Sequence, residues 1–184
     1  MAKLPELTNL QDLFVEGENF SEYYLRKTNC LQPCLLFIGT EGAHLYVPEL
    51  STDLDALDTF VQHAALLCLA HAATISLLIL PGATSDDDEP THAGDRAAET
   101  LPKLELAVLL GEAPTGPHKK ALTIVRSDNG RFFGFGEEGT SGTSSLLETD
   151  LAILPAKTPD AETRQRAQAI VKQENLETFP LIRE

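Results

Sequence analysis

Residues 104–136 read LELAVLLGEAPTGPHKKALTIVRSDNGRFFGFG. The apolar run Leu104 to Leu110 predicts a strand. Gly111 to Pro117 carries Gly and Pro and predicts a turn, and a second strand follows from Lys120 to Arg126. Ser127-Asp128-Asn129-Gly130 then precedes a third strand, Arg131 to Phe135. Asn-Gly between two β-rich runs is a strong short hairpin signal, so the stretch predicts a β-meander.

Working outward, Leu35 to Ile38 and His44 to Val47 are short apolar runs joined by Gly39-Thr40-Glu41-Gly42, which predicts another hairpin. Before it, residues 8–28 carry Leu10, Leu13, Phe14, Gly17, Phe20, Tyr24 and Leu25 at helical spacing, with Thr8 or Asn9 as cap. After it, Ser51 and Asp53 offer a cap for a helix with Leu54, Leu57, Val61, Ala64, Cys68 and Ala72 on one face. Thr74 to Leu80 reads as a buried strand, and a last helix runs from Pro159-Asp160 to about Asn175. The order is α-ββ-α-β-βββ-α. It predicts one α+β domain over residues 1–184, with a mainly antiparallel sheet of about six strands and three helices. The strict β-α-β alternation of a nucleotide-binding fold is absent.

A chain of 184 residues with 42% hydrophobic and 23% charged residues has the composition of a globular domain able to bury its own core. Its charge is unusual: 14 basic residues face 28 acidic ones, for a net charge of −14. From Thr28 to Asp95 there is no Lys or Arg, and that span supplies −10 of the total. Such a surface repels phosphate backbones and anionic membranes, which argues against direct nucleic-acid or membrane binding. Basic proteins, cationic ligands and divalent metals remain compatible with it. Residues 82–100, with a net charge of −5 and little apolar content, read as an acidic mobile loop.

The segment Thr59 to Ser85 has no formal charge and the length of a membrane span. His63, His71 and Pro81-Gly82 interrupt it, and no basic cluster flanks it, so a buried helix running into a buried strand is the better reading. Three cysteines (Cys30, Cys34 and Cys68) and an N-terminus without an apolar leader predict a reducing, cytoplasmic setting.

Motifs give little chemistry. Gly134-Phe-Gly-Glu-Glu-Gly139 fits the dinucleotide pattern, but it follows a hairpin strand and carries two acids, so it reads as a strand end. Ser141 and Ser145 lack a partner His and Asp. Cys30 and Cys34 lack a second pair for zinc, and a mixed site with Cys68 and His71 is disfavoured. No metal site and no cofactor are expected, and no constellation reaches the level of an active site.

Two functional classes follow. The first is a non-catalytic interaction module that captures a basic or amphipathic protein segment on Asp53, Asp55, Asp58, Asp86, Asp87, Asp88 and Glu89. An acidic mimic of nucleic acid is a variant of it. The second is a small-ligand binder or enzyme whose site is assembled from scattered residues, with His44, Tyr46, His63, His71, Glu105 and Arg126 as lining groups. The sequence leaves a homodimer open, the commonest state of soluble oligomers.

Overall fold

A computed structural model describes residues 7–49, 56–84, 104–136 and 151–181. Three helices and seven strands lie among them: α1 (Leu10–Thr28), β1 (Cys34–Gly39), β2 (Gly42–Tyr46), α2 (Ala56–Ala70), β3 (Ile75–Ala83), β4 (Glu105–Ala113), β5 (Gly116–Arg126), β6 (Phe132–Phe135), α3 (Ala161–Gln173) and β7 (Phe179–Pro180). The strands form one sheet in the order β6-β5-β4-β3-β1-β2-β7, and every neighbouring pair is antiparallel. The α+β class expected from the sequence holds, with seven strands instead of about six.

The extra strand is β7, two residues that pair with His44 and Leu45 at the sheet edge. Pro180 can sit there because an edge strand has no second neighbour needing its missing N–H. Three other strands run past the ends that the sequence implies. β3 does not stop at Leu80 but continues through Pro81-Gly82 to Ala83, paired with β4, so the first residues of the expected 82–100 loop are strand. β4 continues to Ala113 and β5 already begins at Gly116, so the turn expected over residues 111–117 is mostly ladder.

Residues of the central strands alternate between two cores, one on each face of the sheet. On one face α1 covers Leu36, Leu77, Ile79, Ala107, Leu109, Leu122 and Ile124 with Leu13, Phe14 and Leu25. Asn9 caps this helix, its side chain accepting the Asp12 N–H at 2.9 Å. The helix lies close to the sheet at its one internal glycine: a Cβ on Gly17 would come within 2.6 Å of Leu77 Cδ2. On the other face Phe60, Ala64, Leu67 and Cys68 of α2 pack on Leu35, Phe37, Tyr46, Leu78, Leu80, Val108 and Leu110. Of the helical face expected for α2, Ala64 and Cys68 are buried, Leu57 turns outward at 38% exposure, and Ala72 lies beyond the helix. The Ser51 and Asp53 caps and Leu54 fall outside the described residues.

Glu112 ties the chain to this second core. Its carboxylate accepts the N–H groups of Ile153 and Leu154, both at 3.0 Å, and Ile153 is buried there. α3 packs alongside α2, with Gln168 donating to the Ala70 carbonyl at 3.2 Å. No helix among the described residues is long and apolar enough to cross a membrane.

Candidate metal centre

α2 ends in a backbone arrangement that places one histidine. The Ala73 N–H reaches back to the Cys68 carbonyl at 2.8 Å and the Ala72 N–H to Leu69 at 3.2 Å, with Ala72 at φ 47°. This is a helix terminus of the Schellman type, which ordinarily takes glycine at the left-handed position. Alanine there carries Cβ strain of roughly 1 kcal/mol. Ala72→Gly should therefore stabilise the chain by about that amount, read as a higher urea midpoint at unchanged slope. A loss of stability would mean that Ala72 is held by packing and not by the cap.

The same terminus frees the carbonyl of His71, the residue before Ala72. It accepts the Thr40 N–H at 3.1 Å at the tip of the β1–β2 hairpin. Gly39 makes that approach feasible, since a Cβ on it would stand 2.6 Å from the His71 oxygen. Gly42, at φ 108°, completes the hairpin turn in a conformation that side chains rarely adopt. Helix end and hairpin tip are thereby pinned together.

Three donors meet at this junction. Glu41 is in the turn, His44 lies on β2 opposite Phe37, and His71 follows α2. One donor atom from each lies within 4.8 Å of the others. His71 Nδ1 and Glu41 Oε2 are 4.0 Å apart, and the two imidazole centroids are 4.9 Å apart. A bound ion would sit about 2.0–2.2 Å from each donor. Small side-chain rotations, freest for Glu41 at 68% exposure, would bring the three donors to that distance.

His44 is the unusual member. It is 9% exposed, stacked on Phe37 at 5.3 Å, and neither ring nitrogen has a hydrogen-bond partner among the described residues. A buried polar group left unpaired costs about 1–3 kcal/mol. Burial holds the pKa of both imidazoles below the ordinary value of 6.5. For His71, the charges of His44 and Arg164 push further in the same direction, and Glu41 opposes both shifts. Both rings are then neutral near pH 7, the form that ligates metals.

The remaining expected lining groups are placed elsewhere. Tyr46 hydrogen-bonds His63 Nδ1 at 3.2 Å and stacks on Phe60, a separate pair further along α2. Glu105 and Arg126 are ion-paired at 2.6 Å beyond β3 on the far side of the sheet. The six thus fall into three separate pairs instead of one site, and Glu41 joins the His44–His71 pair. From the sequence Glu41 belongs only to the acidic surface of residues 41–100, and no metal site is expected.

The mixed cysteine site does not form: Cys34 lies in the core under α1, Cys68 in the core under α2, and the sheet separates them. Burial raises both thiols far above their usual pKa, so neither is a ready thiolate. Of the acidic surface, Asp58 is exposed on α2, while Asp53, Asp55, Asp86, Asp87, Asp88, Glu89 and most of the 82–100 loop lie outside the described residues, as do Ser141 and Ser145. Compared with known proteins, the chain matches no family model, no curated protein and no solved structure.

Proposed function

We propose that the chain is a non-catalytic binding protein for a single divalent transition-metal ion, held by His44, His71 and Glu41. One observation carries this: a buried histidine with both ring nitrogens unpartnered stands beside a second imidazole and a carboxylate. Two imidazoles and one carboxylate suit zinc and its first-row neighbours, whereas calcium and magnesium prefer all-oxygen shells. The −14 net charge favours any cation near the surface.

The ion is a ligand and not a scaffold. Structural zinc sites are closed by four protein donors, while three donors leave a position open. The apolar side chains of both cores bury one another directly, and the junction meets them through Phe37, which both imidazoles touch. Folding in the absence of metal, with exchangeable binding, is the expected behaviour.

At free zinc 100 times its dissociation constant, binding adds about 2.7 kcal/mol of stability. For a domain of this size that is a Tm rise of roughly 5–10 °C. Zinc taken up by the cysteines of the unfolded chain trims the figure. Calcium and magnesium should give no rise, and His71→Ala should abolish the zinc effect. An unchanged Tm with zinc, or a full rise in His71→Ala, would contradict the proposal.

A further inference from the structure

A fourth group stands at the junction without a role in holding the ion. Arg164, in the first turn of α3, donates from Nη2 to Thr40 Oγ1 at 3.3 Å. Its Nε is buried and has no hydrogen-bond partner among the described residues. Gln168, one turn on, grips the Ala70 carbonyl, so this face of α3 looks onto the end of α2 and the hairpin tip. No carboxylate among the described residues pairs with the Arg164 guanidinium. The α3 N-terminus itself is already answered, since the Asp160 carboxylate caps it by accepting the Thr163 N–H at 2.7 Å, so the guanidinium is the group left to meet an anion.

Charge makes the arrangement informative. A divalent ion with two neutral imidazoles and one carboxylate keeps a net +1, and Arg164 adds another. Two like charges at one junction call for an anion. The ion has an open position, and the guanidinium has an unused N–H in a group shaped to grip carboxylates in a fork.

We infer that the site takes a small carboxylate ligand, one oxygen on the ion's open position and the other on Arg164. This rests on the proposed ion site and names the class of molecule that site recognises.

The test uses the full chain loaded with cobalt(II), whose visible absorption reports coordination, titrated with acetate against chloride at equal ionic strength. Acetate should change the spectrum saturably, and chloride should not. Arg164→Met keeps the aliphatic stem and removes the fork. It should still take up cobalt, with equal or higher affinity because a repelling charge is gone, and should weaken acetate binding by about tenfold or more. Arg164→Lys, which keeps charge without the fork, should fall between the two and serves if the methionine variant folds poorly. A cobalt spectrum indifferent to acetate, or an equal acetate response in Arg164→Met, would overturn the carboxylate inference and leave the ion site standing. Failure of cobalt to bind at all would overturn both.

Discussion

Replacing His44 by phenylalanine should make the ion-free protein more stable and end its response to zinc. The ring packs on Phe37 at 5.3 Å with an interplanar angle of 15°, beside His71 at 4.9 Å. Phenylalanine fits that stack and carries no polar atom. It removes two unpartnered nitrogens from a residue 9% exposed. An unsatisfied buried group costs about 1–3 kcal/mol, so the variant should gain about that much.

The gain should depend on pH with a definite sign. The folded pKa of His44 lies below 6.5, so the unfolded chain binds more protons as the solution is acidified. Stability is full above the ordinary histidine range and is lost as pH falls through 6.5 towards the folded value. His44→Phe deletes one such contribution and His71 retains the other, under the opposing influences of Glu41 and Arg164. The variant's acid-side loss should therefore be shallower than the parent's. Urea unfolding at pH 7.5 and pH 5.5, with and without zinc, checks all three statements. A phenylalanine variant less stable than its parent at both pH values would mean that the imidazole is a satisfied structural group. A residue that weakens the fold where it sits is what a binding site leaves behind in a stability measurement.

The second large effect lies at the far side of the sheet. Asn29→Ala should cost about 2–4 kcal/mol, although Asn29 is exposed and ends a helix. Its backbone is left-handed, at φ 59°, with its N–H on the Leu25 carbonyl at 2.8 Å. Its Oδ1 accepts the Phe132 N–H and an Arg126 N–H, both at 2.8 Å, and its Nδ2 donates to the Gly130 carbonyl at 3.1 Å. One side chain thus fastens α1 to the β5–β6 hairpin. Alanine forfeits about 1 kcal/mol of backbone compatibility and leaves the half-buried Phe132 N–H unpaired, at about 1–3 kcal/mol. Asn29→Gly should recover the backbone part alone and fall between the two. Equal losses for Ala and Gly would assign the whole effect to the side chain. A loss under about 0.5 kcal/mol for alanine would show that the hairpin holds its place without Asn29.

These two residues show what a linear reading reaches. The Asn129-Gly130 turn, the periodic face of α1 and the apolar runs of β1, β3 and β4 are local signals, and the elements follow from them. The start of β5 is not a local signal. Pro117, His118, Lys119 and Lys120 show no apolar alternation and are mostly exposed, and only their pairing with β4 makes them strand. β7 is too short for any period. The six lining candidates contained two members of the junction, because histidines near apolar segments invite suspicion. Nothing in the chain order joins His44 to His71: that needs the left-handed end of α2, the close pass at Gly39, and the β1–β2 register. Glu41 reads as one more acid in a stretch full of them until the turn brings it to His71. The role of Arg126 as a clamp on Asn29 is likewise a contact across nearly a hundred residues.

The most direct measurement is a long-range proton–nitrogen correlation spectrum of the imidazole rings in the full chain, followed during a zinc titration at pH 7. Five histidines are present, at 44, 63, 71, 92 and 118. One ring nitrogen of His44 and one of His71 should shift together and saturate at one equivalent of zinc, while His63, His92 and His118 keep their positions. Unmoved resonances for His44 and His71, with zinc taken up by the other three or not at all, would contradict the proposed site.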